Sequence, residues 1–246
     1  MFDITISLSI LFWQADYFGE DRNMIYNETG RSMIEMLGVL AIIGVLSVGG
    51  IAGYSKAMDS YRVNKTIDQV SQIATNIRIL FGSQKNYADL GGGSGDANTW
   101  ELVHKANLFP DEMVIKSGNE AENRVTDFVN PYGGIVNLYT RGVFTSGDNA
   151  NSFVILYEKI PGSACISLAT LNWNVAAGDE LVAVAISSGS AQATFVGAKY
   201  GNTCKSELKD NYAVACVRDG HIPMSVQWAS AVCKNGSNNY IAWKFQ

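Results

Sequence analysis

An apolar run of 20 residues constrains the fold more than any other part of the chain. It extends from Met36 to Ser55 and carries no charge between Glu35 and Lys56. A helix of this length reaches about 30 Å, the thickness of the hydrocarbon core of a bilayer. Apolar side chains cover all its faces instead of one stripe, which argues against a buried helix of a soluble core. The run therefore predicts a membrane span.

Apolar residues then recur every third or fourth position as far as Phe81, with charged and amide side chains between them. This period predicts an amphipathic helix over residues 56–82 that ends near Gly82. Because no proline occurs between Gly30 and Gly82, the span and this segment can form one helix of about 50 residues, or about 75 Å.

The residues that precede the span carry a family resemblance. Thr29-Gly30-Arg31-Ser32-Met33-Ile34-Glu35-Met36, joined directly to the apolar run, resembles the cleavage signal of type IV prepilins. The resemblance implies that a prepilin peptidase cuts between Gly30 and Arg31. It also implies that Glu35, the fifth mature residue, pairs with the new amino terminus of a neighbouring subunit during filament assembly.

The chain departs from that family in two ways. Type IV pilins usually begin with Phe, Met or Leu and are N-methylated there, whereas the methylation position here falls on Arg31. Residues 1–30, the implied leader, contain five acidic residues against Arg22 alone, although such leaders are usually basic. Translation from Met24 would give a leader of seven residues, so Met24 is an alternative start.

The rest of the chain reads as an α+β head over residues 83–246. Gly91–Asp96 is a glycine-rich loop, a short helix is expected at 99–107, and Asn130-Pro131-Tyr132-Gly133-Gly134 predicts a turn into a strand. Further elements are strands at 135–139, 153–157, 181–186, 193–196 and 240–245, the first two antiparallel, and short helices at 162–171 and 225–232.

The order of these elements resembles type IVb pilins of the plasmid thin-pilus and toxin-coregulated kind. The resemblance implies an antiparallel sheet packed on the second half of the long helix, and a disulfide-tied C-terminal region. Four cysteines allow three pairings, and the resemblance favours Cys165–Cys233 with Cys204–Cys216 nested inside. Four buried thiols are the alternative. Disulfides require an oxidising compartment, which would place the head in the periplasm.

Nothing in the sequence predicts catalysis, a cofactor or a metal site. His104 and His221 have no nucleophile nearby in sequence, and the cysteines contain no CxxC pair. The carboxylate pairs Asp111-Glu112, Asp179-Glu180 and Glu120/Glu122 favour surface charge over a glycosidase dyad. Trp173, Trp228, Tyr240 and Trp243 favour core packing over a carbohydrate site. With 18 basic against 23 acidic residues, no nucleic-acid partner is expected.

The resemblance therefore implies a subunit that is inserted in the inner membrane as a precursor and assembled with copies of itself by the inner-membrane pilus machinery. The extracellular filament would serve adhesion, aggregation, DNA transfer or twitching motility. A minor pilin or type II secretion pseudopilin is the alternative within this class. An enzyme or ligand-binding ectodomain on a single membrane anchor is the alternative from another class.

Overall fold

The computed structural model describes residues 33–84, 86–90, 103–116, 125–139, 151–178, 180–189, 204–236 and 238–246. The predicted leader, Arg31, the loop 91–96 and the predicted strand 193–196 lie outside these ranges. The helix predicted at 99–107 is described only from residue 103, and residues 103–105 are helical.

One helix, α1, runs without interruption through Met33–Phe81, which confirms the continuous helix and its predicted end near Gly82. In its second half, one face is fully buried at the spacing of three to four residues that the sequence predicts: Val70, Ile73, Ala74, Ile77 and Phe81. The chain divides into two compact units within this helix, between Ala52 and Gly53.

The head contains a six-stranded sheet in the order β3-β4-β8-β5-β7-β6 and a separate β1-β2 pair, and every pairing is antiparallel. The strands are β1 Val114–Lys116, β2 Val125–Phe128, β3 Val136–Tyr139, β4 Phe153–Ile160, β5 Leu181–Ser188, β6 Glu207–Leu208, β7 Tyr212–Cys216 and β8 Asn239–Phe245. The predicted strands at 135–139, 153–157, 181–186 and 240–245 are confirmed. The sequence did not predict β1, β2, β6 or β7.

The last strand, β8, occupies the middle of the sheet, because it pairs with β4 on one side and β5 on the other. Side chains alternate between the two faces of a strand. Ile241, Trp243 and Phe245 join the main core with α1, whereas Ala242 belongs to a second apolar cluster with Val154 and Ala185. Both faces of the central strands are therefore buried.

Besides the helical residues 103–105, the described head contains three short α-helices: α2 Gly162–Ala169, α3 Trp173–Ala177 and α4 Val226–Val232. The helices predicted at 162–171 and 225–232 are confirmed as α2 and α4, and α3 was not predicted. Ser225 caps α4, since its Oγ accepts a hydrogen bond from the backbone N–H of Trp228 at 3.2 Å.

Asn130 organises the turn that the NPYGG sequence predicts. Its Oδ1 accepts hydrogen bonds from the backbone N–H groups of Tyr132 at 2.9 Å and Gly134 at 3.1 Å. Its Nδ2 donates to the carbonyl of Glu158 at 2.7 Å. A Cβ at Gly134 would overlap that same carbonyl oxygen, so glycine is required for the turn to approach β4.

We expect Gly162→Ala to lower the free energy of unfolding by about 1–3 kcal/mol, as overpacking against backbone does. An added Cβ would lie 2.5 Å from the carbonyl oxygen of Lys234, and the backbone N–H of Gly162 already donates to Gly236 at 3.1 Å. Urea unfolding of the full chain in detergent measures the change. Ser163→Ala, at the next and exposed position of α2, is the matched control; equal stability of both variants would contradict the prediction.

Candidate functional site

The first half of α1 presents an apolar surface that no other described part of the chain covers. Its most hydrophobic 18-residue window has a mean hydropathy of 2.2 and none of it is buried. The large side chains of this segment are 53–75 % exposed: Met36, Leu37, Val39, Leu40, Ile42, Ile43, Val45, Leu46, Val48, Ile51 and Tyr54. Together they form one continuous apolar patch that is larger than soluble proteins usually expose. By length and composition, this helix can cross a membrane.

Small and polar residues of this segment are compatible with lipid and with close helix packing. The hydroxyl of Ser47 donates to the carbonyl of Ile43 at 2.8 Å, so it needs no outside partner. A Cβ at Gly49 or Gly53 would meet nothing within 4 Å. These two glycines are four residues apart and share a helix face, where they allow a second helix to approach closely.

Glu35 is the one charged residue between Met33 and Lys56, and it lies exposed in the first turn of α1. An unpaired carboxylate at the edge of hydrocarbon is costly, so such residues pair or reach the interface. Gly30 and Arg31, the cleavage-site residues that the resemblance implies, lie outside the described residues.

In the second half of α1, polar side chains fix the helix to the head. Lys65 Nζ lies 2.9 Å from Glu112 Oε2, and Gln69 Nε2 donates to Glu112 Oε1 at 3.0 Å. The hydroxyl of buried Tyr157 donates to Gln69 Oε1 at 3.3 Å, which extends the network to β4. Hydrogen bonds from Lys65, and then from Gln69, lower the pKa of Glu112.

We expect Glu112→Gln to lower the free energy of unfolding at pH 7 by about 0.5 kcal/mol, the size of a largely exposed ion pair. A carboxyl with a lowered folded-state pKa contributes stability above its ordinary pKa of 4.5, and loses it as the pH falls through the lowered pKa. Urea unfolding at pH 7 and at pH 3 should show the difference from the unmodified chain shrinking with acid. Asp111→Asn, at the exposed neighbouring position, is the matched control; a Glu112→Gln difference that is undiminished at pH 3 would contradict the prediction.

A second ion pair holds the end of α1. Arg78 Nε lies 2.6 Å from Glu180 Oε2, and Arg78 Nη1 donates to the carbonyl of Ala177 at 3.2 Å. The guanidinium also lies over the ring of Phe245, with its carbon 5.2 Å from the ring centroid. Contacts with both α3 and β8 therefore attach the last turns of α1 to the sheet.

The structure pairs Cys165 with Cys233 and Cys204 with Cys216, the two pairs that the resemblance favours. The Cα atoms are 5.9 and 5.8 Å apart, within the range of ordinary disulfides. The first bond joins α2 to the residue after α4, and the second joins β7 to the segment before β6. No cysteine is free.

The candidate catalytic residues are not brought together. His221 stacks on Trp228 with 5.3 Å between ring centroids, while Trp173 and Trp243 are fully buried and contact each other. Tyr240 packs on the opposite, second apolar cluster. Glu112 and Glu180 are each in an ion pair. Among the described residues, no group of His, Cys, Asp and Glu could hold a metal ion; Glu120, Glu122 and Asp179 lie outside them.

Comparison with known proteins identifies the family. A family model described as PilS N terminal matches residues 60–245, most of the chain. The chain belongs to the PilS family of type IV pilins. It is therefore a structural subunit of pili rather than an enzyme.

Individual relatives of this pilin share little sequence with it. The major structural subunit of the bundle-forming pilus of Escherichia coli O127:H6 is 25% identical over 150 residues, which are 61% of this chain and 68% of that protein. The type IVb pilin of Salmonella typhi is 18% identical with a TM-score of 0.43, over 72% of this chain and 95% of the other. TcpA, a type IV pilin of Vibrio cholerae El Tor, is 12% identical with a TM-score of 0.43, over 76% and 99%.

Proposed function

We propose that this pilin is made as a membrane-inserted precursor, is cut after Gly30 by a prepilin peptidase, and polymerises through α1 into a type IVb pilus. The observation that carries the proposal is the exposed apolar first half of α1, with Glu35 as its one acidic residue. Such a surface requires lipid before assembly and neighbouring helices after it.

Cleavage would create the charge that Glu35 needs. A free α-amino group at Arg31 is largely protonated at neutral pH, and the Glu35 carboxylate of a neighbouring subunit would pair with it inside a bundle of apolar helices. A buried pair of this kind adds little net stability, but a missing partner costs several kcal/mol. The pair would therefore select the correct register of one subunit against the next.

Each segment of the chain has a role in the proposed assembly. Residues 1–30 form the leader, 31–55 the membrane and filament-core helix, 56–82 its amphipathic continuation, and 83–246 the head. The two disulfides favour an oxidising compartment for the head, namely the periplasm while the precursor is in the inner membrane. The partners are the prepilin peptidase, the inner-membrane assembly machinery and other copies of the subunit, with the finished pilus outside the cell.

Mass spectrometry of the chain co-expressed with a prepilin peptidase tests the processing step. We expect a mature chain that begins at Arg31, and the same spectrum reports whether that residue is methylated. Gly30→Leu should block the cut and is the control for other proteases. A chain that keeps its leader in the presence of the active peptidase would contradict the proposal. The precursor without peptidase decides between Met1 and Met24 as its first residue.

Loss of filaments from Glu35→Ala tests the assembly step. We expect shearing of cells to release no detectable pilin for this variant, because each protonated amino terminus would lack its partner. Cleavage at Gly30 and both disulfides should be retained. Ser47→Ala, also in the apolar segment but with its hydroxyl bonded inside its own helix, is the matched control. Normal filaments from Glu35→Ala would contradict the proposed pairing of Glu35 with the amino terminus of a neighbouring subunit.

A further inference from the structure

A groove of about 280 Å³ opens between α1 and the start of α2, and the proposed function does not use it. One wall is formed by consecutive turns of α1 and the other by the NPYGG turn and α2. Its lining combines polar and apolar groups, with somewhat more apolar than polar surface: Lys56, Asp59, Ser60, Val63 and Asn64 on α1, and Tyr132, Pro161, Ser163, Ala164 and Ser167 opposite.

The groove begins where the apolar run ends. Lys56 directly follows Ser55, the last residue of that run. At 1.5 Å per residue, the segment from Lys56 to Ser60 lies about 2–8 Å beyond the apolar run along the helix axis. The polar headgroup layer of a bilayer is about 5–7 Å thick on each side. In a membrane-inserted chain, this part of α1 is therefore at the depth of the phospholipid headgroups.

The groove presents one cation and one anion. Lys56 and Asp59 are both exposed and are three residues apart, so they share the helix face that lines the groove. Within the described part of the chain, neither takes part in an ion pair with another side chain. The two charges balance, and this arrangement matches a ligand that also carries one charge of each sign.

Tyr132 adds a hydrogen-bond donor. Its hydroxyl oxygen is buried and makes no hydrogen bond of good geometry among the described residues, although the hydroxyl of Thr66 is near enough to act on its pKa. Burial raises the pKa of Tyr132 to about 12, against the opposing effects of the Thr66 hydroxyl and the Arg62 charge. The hydroxyl therefore keeps its proton at neutral pH and can donate to a phosphate or ester oxygen.

We propose that this groove binds the headgroup of an amine-bearing zwitterionic phospholipid, phosphatidylethanolamine, while the pilin is anchored in the bilayer. The phosphate would pair with Lys56, the ammonium with Asp59, and the serine and tyrosine hydroxyls would complete the hydrogen bonds. A purely anionic headgroup would leave Asp59 facing a like charge. The inference rests on the proposed membrane insertion, because it is the span that brings the groove to the headgroup layer.

Native mass spectrometry of the full, uncleaved chain in nanodiscs tests this site. The discs contain phosphatidylethanolamine and phosphatidylglycerol in equal amounts, and the lipids that remain on the released chain are counted. We expect phosphatidylethanolamine to be retained about fivefold over phosphatidylglycerol, the factor that one charge contact in the headgroup layer provides. Asp59→Asn should remove or reverse the preference. Asp68→Asn, the same change at an exposed position outside the groove, should leave it intact.

A second variant separates the groove from general effects of charge. Ser163→Trp fills the groove from an exposed position of α2, so it should abolish lipid retention without disturbing the core. Insertion into nanodiscs without any preference between the two lipids would overturn the headgroup site alone. Failure to insert would overturn both this inference and the proposed function. No lipid preference, combined with loss of filaments in Ser163→Trp, would show that a neighbouring subunit occupies the groove instead.

Discussion

Replacing Trp243 by alanine is expected to lower the free energy of unfolding of the head by about 4 kcal/mol, the range for removing a large buried aromatic side chain. Trp243 is fully buried in the central strand β8. Its indole meets the rings of Tyr157 and Trp173 edge-on, with centroids 5.3 and 4.9 Å away. Calorimetric unfolding of the full chain in detergent measures the loss.

Two comparisons make this prediction specific. Trp228→Ala removes the same side chain from a half-buried position and should cost less than half as much, because less apolar area returns to water. The indole N–H of Trp243 is buried and has no hydrogen-bond partner in the part of the chain that the structure describes. Trp243→Phe should therefore recover most of the loss, since it keeps a ring and removes an unpaired donor. Equal destabilisation by all three variants would contradict the packing described for β8.

The long helix and the central strands could be predicted because their signals are local. A 20-residue apolar run, a period of 3.6 and the absence of proline define α1 from neighbouring residues alone. The strands β4, β5 and β8 are rich in β-branched and aromatic residues, and Pro161 marks the start of α2. In each case the residues of the segment itself are enough to predict the helix or strand.

The missed elements lack such signals. Strand β7 is Tyr212–Cys216, in which Ala213 and Ala215 have little strand propensity and are held by pairing with β5. Strand β6 has two residues and α3 has five, too few to show a period. These elements exist because the tertiary structure stabilises them.

Some features of the candidate site could likewise be predicted from the sequence, and others could not. The span and Glu35 are evident in the sequence, because a membrane segment is defined by its own residues. The partners of Glu112 and the groove at Lys56 could not be predicted. Lys65 and Glu112 are 47 positions apart in sequence, and Tyr132 meets α1 only through the folded head. Contacts of this kind depend on the three-dimensional arrangement, which no local pattern contains.

Removal of the outer disulfide by Cys165→Ala with Cys233→Ala is expected to lower the free energy of unfolding by about 4 kcal/mol. The bond closes a loop with a sequence separation of 68 residues, and the loss of chain entropy in the unfolded state grows with that separation. The inner pair, Cys204 and Cys216, is separated by 12 residues, so Cys204→Ala with Cys216→Ala should cost about 3 kcal/mol on the same basis.

Thermal unfolding with and without a reductant measures both effects. Under oxidising conditions, the variant that lacks the outer bond should be less stable than the variant that lacks the inner bond. The reductant breaks both bonds of the unmodified chain, so it should lower the stability of that chain below that of either variant. Cys165 is fully buried between α2 and the sheet, so its loss also loosens packing around α4, where Cys233 follows the last helical residue. An outer-bond variant as stable as the oxidised, unmodified chain would contradict the pairing. It would also remove the argument that places the head in an oxidising compartment, because that argument depends on disulfides that the folded head requires.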